Sequence, residues 1–293
     1  MSWMFWTKTK AELTEDQRAA LKRLVGEAKF ELIPLDSVMA KCEALPPGAA
    51  VTVTASPSHG IEATFDLCET LAALGHDVTP HLSAHMTRDR AHLQELLERA
   101  RAANITNVFV VGGDAKDKGI FHDGLHLLQA MDELGHPFTE IGIPSYPEGH
   151  ADIADDILLQ TLKDKQRYAT AMTTQMCFNP GAVASWLARI RTDGITLPLH
   201  LGVPGVAELA KLMTISARIG IADSARYLKK NKKMVGHLMK RGSFGPDAFL
   251  EALAPTLARP DADVRALHVF TFNQVQNTAD WQRRMLNGEL GVG

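Results

Sequence analysis

Cysteine is scarce in this sequence: Cys42, Cys68 and Cys177 are the only three in 293 residues. So few, so scattered, exclude a disulfide framework or a CxxC metal knuckle and fit a reducing, cytoplasmic compartment. Long apolar runs are missing too. No stretch approaches the roughly 18 residues that would span a bilayer. Charge of one sign is also lacking, with 31 Lys plus Arg against 34 Asp plus Glu and a formal net charge of -3. Without a global basic field, neither nucleic acid nor an anionic membrane is an expected partner. The opening Met-Ser-Trp-Met-Phe-Trp is broken at once by Lys8, Lys10 and Glu12 and lacks the parts of a signal peptide. These aromatics are expected to pack on the body of the protein, within an N-terminal arm and helix at 1–27.

What is present is a strand–helix repeat. Short β-branched, mostly apolar runs occur at 28–33, 50–55, 77–83, 106–112, 139–146, 171–178, 197–203 and 266–273. Between them apolar residues recur at helical spacing. Leu93, Leu96, Leu97 and Ala100 do so within 88–103, and Val183, Trp186, Leu187 and Ile190 within 183–190. A further helix is expected at 11–26, with Leu21, Leu24 and Val25 as its buried face. Alternating strands and helices imply parallel pairing, because each return to the sheet needs a crossover. Eight units, a length suited to one barrel of about 250 residues, and no GxGxxG after the first strand favour an α/β (β/α)8 TIM barrel over an open doubly wound sheet. The expected organisation is one domain, 1–293, with a helical elaboration at 205–263 holding at least two helices, at 206–219 and 224–240.

Polar residues gather at the predicted strand ends, where barrel enzymes keep their chemistry. Glu31 is an acid in the apolar segment Lys29-Phe30-Glu31-Leu32-Ile33-Pro34. Desolvation there disfavours the ionised carboxyl and suits a general acid; pairing with a Lys or Arg is the equal alternative. Asp114 follows Gly112-Gly113, where backbone can approach a ligand closely, or it serves as a helix cap. His81, in Thr79-Pro80-His81-Leu82-Ser83, reads more readily as a satisfied core residue than as a ligand. His150, His85, His122 and Glu148 complete a set that invites a metal, but no HExxH or HxH spacing supports one, so none is expected. The Gln175 amide presents both a donor and an acceptor, matching a pterin-like edge. Cys177 reads as buried packing. The 229–233 basic run is a solvated helix face, with a polyanionic folate tail as its minority ligand.

Taken in order, these segments resemble the catalytic domain of the methylenetetrahydrofolate reductase family, in its short bacterial-type form. The matching pieces are Phe30-Glu31-Leu32-Ile33-Pro34, Val51-Thr52-Val53-Thr54, Pro80-His81-Leu82-Ser83, Gly113-Asp114, Thr173-Thr174-Gln175-Met176-Cys177-Phe178 and Val269-Phe270-Thr271-Phe272-Asn273. Tyr146-Pro147-Glu148-Gly149-His150 is the most specific. The resemblance implies reduction of 5,10-methylenetetrahydrofolate to 5-methyltetrahydrofolate, the one-carbon step that feeds methionine biosynthesis, with NAD(P)H as co-substrate and FAD as cofactor. It implies Glu31 and Asp114 as catalytic residues and Gln175, Phe178, Phe272 and Gln274 at the folate. Thr54, His81, Gly113, Asp114, Tyr146, His150 and Lys165 would line the flavin. Partners are then small molecules, with homo-oligomers allowed.

Two departures stand out. Gly112 replaces the Arg usual before Gly-Asp, and Asp164, beside Lys165, stands where a cation is usual. An anion beside a pyrophosphate is electrostatically unfavourable. Flavin-free hydride transfer directly from NAD(P)H is therefore an alternative. The others are demethylation or oxidation of a methylated folate and a non-catalytic folate- or flavin-binding barrel. An aldolase would need a Schiff-base Lys at a strand end, and none of the runs above offers one.

Overall fold

A computed structural model describes residues 12–115, 118–208 and 243–288. The aromatic hexamer, the 229–233 basic run and nearly all of the two helices expected between 206 and 240 lie outside them. The barrel strands, in chain order, are Lys29–Leu32 (β1), Ala50–Val53 (β2), Asp77–Ser83 (β3), Asn107–Val111 (β4), Glu140–Ser145 (β5), Ala171–Thr174 (β6), Leu199–Pro204 (β7) and Val264–Phe270 (β8). They close in the order β1-β8-β7-β6-β5-β4-β3-β2, every neighbour parallel. The fold is a (β/α)8 barrel, as expected.

The helices are Glu15–Gly26 (α1), Val38–Cys42 (α2), Gly60–Ala73 (α3), Arg90–Ala102 (α4), Gly124–Leu134 (α5), Asp155–Lys165 (α6), Pro180–Thr192 (α7), Asp247–Leu257 (α8) and Val275–Leu286 (α9). α1 starts at Glu15 rather than 11, because Thr14 and Gln17 form a reciprocal capping box there. Its face of Leu21, Leu24 and Val25 is fully buried, and Gln282 of α9 donates to the Val25 carbonyl at 2.9 Å. β6 stops at Thr174, four residues short of the run at 171–178; beyond it the Cys177 N–H leaves the ladder to bond the Gly202 carbonyl at 3.0 Å. β8 stops at Phe270, because Phe272 and Asn273 take left-handed φ values of 51° and 57°. The helix expected from 206 instead begins with an antiparallel pair, Ala207–Glu208 against Ser243–Phe244, which draws the two ends of the long connection together. α8 was not expected; its signal is Phe249, Leu250, Leu253 and Leu257, all buried.

Each barrel strand turns an apolar face toward the helices. Phe30, Leu32, Val78, Leu82, Leu201 and Leu267 sit there at 1% exposure, 0%, 3%, 0%, 0% and 0%, each contributing about 1.5–3 kcal/mol by burial. The alternate positions point inward and mix polar side chains such as Lys29, Glu31, His81, Glu140, His200 and His268 with Phe109 and Phe270. Side chains from strands that are not neighbours meet there: Lys29 of β1 pairs with Glu140 of β5, and the rings of His81 (β3) and His268 (β8) lie 6.2 Å apart. Near the N-terminal mouth Asn107 donates to Asp77 at 2.7 Å. Lys29, Asp77, Glu140 and His200 line a 480 Å³ cavity there. Burial raises the Asp77 pKa. For His200, burial, then Lys29 and His268, push the pKa down to about 3. His81 is depressed well below 6.5, mainly by burial.

Both histidines are thus neutral in the folded chain, while their unfolded forms take up protons below about pH 6.5. The unfolded state binds more protons, so stability is full above that pH and falls as pH drops. Denaturant unfolding at pH 7 and pH 5 should show a loss of up to about 2 kcal/mol for each neutral histidine. His200→Gln should flatten the dependence. Equal stability at the two pH values would contradict this assignment.

Candidate functional site

The pairing of β1 with β8 sets Glu31 in register with Phe270 and Lys29 with His268. The Glu31 carboxyl reaches the His268 ring, with Oε2 2.9 Å from Nε2. The carboxyl is 13% exposed and the imidazole 3%. Glu31 therefore has a partner, but it is a histidine from the far end of the chain and not the Lys or Arg expected as the alternative. His81 enters from β3, its ring 4.8 Å from that of Phe109, while the His268 ring lies 4.9 Å from that of Phe270. One donor atom from each of Glu31, His81 and His268 falls within 4.8 Å of the others.

Just beyond, the chain after β8 is stitched to the chain after β1. Thr271 donates its hydroxyl to the Glu31 carbonyl. Asn273 accepts from the Ile33 N–H through Oδ1 and donates from Nδ2 to the Ile33 carbonyl, both at 2.9 Å. Two left-handed residues in succession cost about 1–3 kcal/mol each, and this clamp offsets part of that cost.

Across the mouth, Gly113 takes φ 88° with its Cα against Ser83; an added Cβ would lie 2.1 Å from the Ser83 Oγ. Asp114 follows it, exposed. It does not cap a helix: Asp123 caps α5, accepting from the N–H groups of Leu125 and His126. Tyr146 to Gly149 form a turn closed by the Gly149 N–H to the Tyr146 carbonyl at 3.1 Å. From that turn the Glu148 carboxylate accepts the N–H groups of Phe178 and Asn179 at 2.7 and 2.8 Å, fixing the entry to α7. His150 is exposed and lies edge-on to Tyr146, centroids 5.1 Å apart, and burial raises the Tyr146 pKa. Gln175 accepts from the Met176 N–H at 2.8 Å. Cys177 is buried, as expected, and burial pushes its thiol pKa up.

Lys165 is buried near the end of α6, its Nζ 3.3 Å from where a Gly124 Cβ would stand. Burial lowers its pKa, and Asp123 opposes that. No hydrogen bond or ion pair holds the ammonium among the described residues. Asp164, one position back, is exposed and accepts from Gln160 at 2.8 Å, so the two charges face different ways. Among the described residues nothing lies within 4 Å of where a Gly112 side chain would begin.

Of the residues expected at the site, Glu31 and His81 come together inside the barrel. Thr54, Gly113, Asp114, Tyr146, His150, Gln175, Phe178, Phe272 and Gln274 follow the C-terminal ends of their strands, on one side of the barrel. Phe178 and Phe272 are buried, at 4% and 7% exposure. The Gln274 amide oxygen accepts from Asn277. His85 and His122 do not join His81: the His85 ring contacts the His122 carbonyl at 3.0 Å. His268 was missed by sequence reasoning. Its signal is alternation along β8, which puts 266, 268 and 270 on the inner face.

A family model described as methylenetetrahydrofolate reductase matches residues 34–283. Among solved structures, the chain is similar to a protein assigned as a phosphonomutase from Burkholderia cenocepacia J2315, at 12% identity, covering 93% of this chain and 98% of that one, TM-score 0.48. A lyase/mutase from the same organism gives 14% identity, 94% and 87% coverage, and TM-score 0.47. A phosphonopyruvate hydrolase gives 9%, 93% and 85%, and 0.45. At those identities and scores the structural likenesses say nothing of function.

The Gly113 contact makes a prediction. Gly113→Ala adds a Cβ that collides with Ser83 in a backbone region alanine rarely adopts, so unfolding free energy should fall by about 1–3 kcal/mol. An unchanged denaturation midpoint would refute this packing.

Proposed function

The chain belongs to the methylenetetrahydrofolate reductase family, and from that premise we propose that it reduces 5,10-methylenetetrahydrofolate to 5-methyltetrahydrofolate with NAD(P)H and bound FAD. The observation that carries the proposal is the half-buried Glu31 carboxyl held by His268 inside the barrel. The product keeps the one-carbon unit on N5, so the bond from that carbon to N10 must break and N10 must gain a proton. Glu31 is the donor. His268 fixes the carboxyl and supplies a second group to share the proton, as positioned acids do. Asp114 and Gln175 meet the polar edge of the pterin, and Phe178, Phe272 and Gln274 complete the folate side.

The residues present suit a flavin. Lys165 is a buried cation felt by the Asp123 carboxylate, which fits a phosphate, and Asp164 is exposed and turned to Gln160. Thr54, His81, Gly113, Tyr146 and His150 would hold the remainder. Bound FAD would supply the hydride relay between nicotinamide and folate carbon. The open space at Gly112, where the family usually has an Arg, favours a second reading in which hydride passes directly from NAD(P)H.

The absorption spectrum of the purified protein separates the two. Flavin bands are expected. A colourless protein that still consumes NADH with methylenetetrahydrofolate would select direct transfer, and no turnover with either nicotinamide would sink both. For the acid, Glu31→Gln should lower folate reduction by about 10²–10⁴-fold and leave NADH oxidation by an artificial acceptor within a few-fold. Equal losses in the two assays would remove Glu31 from the proton-transfer role.

A further inference from the structure

We infer that Glu31, His81 and His268 form a binding site for a divalent transition-metal ion inside the barrel, which the reductase reading does not call on. Three strands supply the donors: β1 a carboxylate, β3 and β8 an imidazole each. The donor atoms lie within 4.8 Å of one another. Bonds of about 2.0–2.2 Å to a tetrahedral ion put ligand atoms roughly 3.4 Å apart, so closure needs movements of about 1 Å, within the reach of side-chain torsions. Two imidazoles and one carboxylate suit a zinc-like or ferrous ion better than magnesium or calcium, which prefer all-oxygen shells.

A second observation points the same way. His81 Nε2 and Thr52 Oγ1 are buried with no hydrogen-bond partner among the described residues, a cost of about 1–3 kcal/mol each. Thr52 pairs in register with Glu31, which puts both side chains on the same face of the sheet. An ion answers the histidine nitrogen, and a water on its remaining position answers the threonine. Coordination by the His268 Nε2 requires the proton shared with Glu31 to leave for Nδ1 or for solvent. A filled site then has no acid to offer: within the reading proposed above, the ion is an off state.

The test is ion uptake by the full chain with neither folate nor nicotinamide present, so its outcome is independent of the reductase reading. Zn2+ is titrated calorimetrically, and Co2+ is followed by its visible absorption. One ion per chain is expected, with the intense bands of a low-coordinate Co2+ centre. His81→Ala and His268→Ala should each weaken binding about tenfold or more. His81→Asn serves as the second variant where alanine disturbs folding, checked by circular dichroism. The exposed His122–His126 pair, with ring centroids 5.4 Å apart, is the control: replacing both by alanine should change nothing. Absence of uptake, or uptake lost only with His122 and His126, would overturn the site.

Discussion

Closure of the barrel, β1 against β8, is the contact on which the rest depends. It joins residues 237 positions apart and turns Glu31 from an acid in an apolar strand into half of a buried pair with His268. The same seam carries the Asn273 clamp on Ile33. Hydrogen bonds to main chain fix where β8 ends, and that end sets the height of His268 relative to Glu31. A change in register by one residue would send the side chain of the shifted strand, Glu31 or His268, to the helix-covered face and part the pair.

Polar barrel interiors are costly, and this one is polar at several levels. Lys29 pairs with Glu140 near the N-terminal mouth; Glu31, His81 and His268 meet further along. Barrel interiors are more often filled by branched apolar side chains. Burial of charges and imidazoles opposes folding, and the apolar outer faces against the helices offset it. Two orphan polar atoms, on Thr52 and His81, persist beside the acid. Unsatisfied groups of that kind concentrate where a fold serves chemistry rather than stability.

Much of the architecture was legible in the sequence. Eight apolar runs at strand–helix spacing gave parallel pairing, and their number, with no GxGxxG after the first, favoured a closed barrel over an open sheet. The limits of β6 and β8 were not legible. Met176 to Phe178 continue the apolar run of a strand, yet the Met176 N–H goes to the Gln175 side chain and the Phe178 N–H to the Glu148 carboxylate. Left-handed φ at Phe272 has no signal in its residue type, and Asn273, of a type that tolerates it, gives only a weak one. At the site, Glu31 and His81 were legible as polar residues in strands, whereas His268 was not, because its meaning comes from a partner at the other end of the chain. The histidines at 85 and 122 drew notice by type alone, and the His85 ring turns to the His122 carbonyl rather than to His81.

The central claim is that Glu31 and His268 act as one proton-donating unit. A double-mutant cycle measures that directly: Glu31→Gln, His268→Gln and the pair, each assayed for methylenetetrahydrofolate reduction. If the two act together, the double variant loses little more than Glu31→Gln alone, because the second change removes a function already gone. Losses that multiply would show two independent residues and contradict the account.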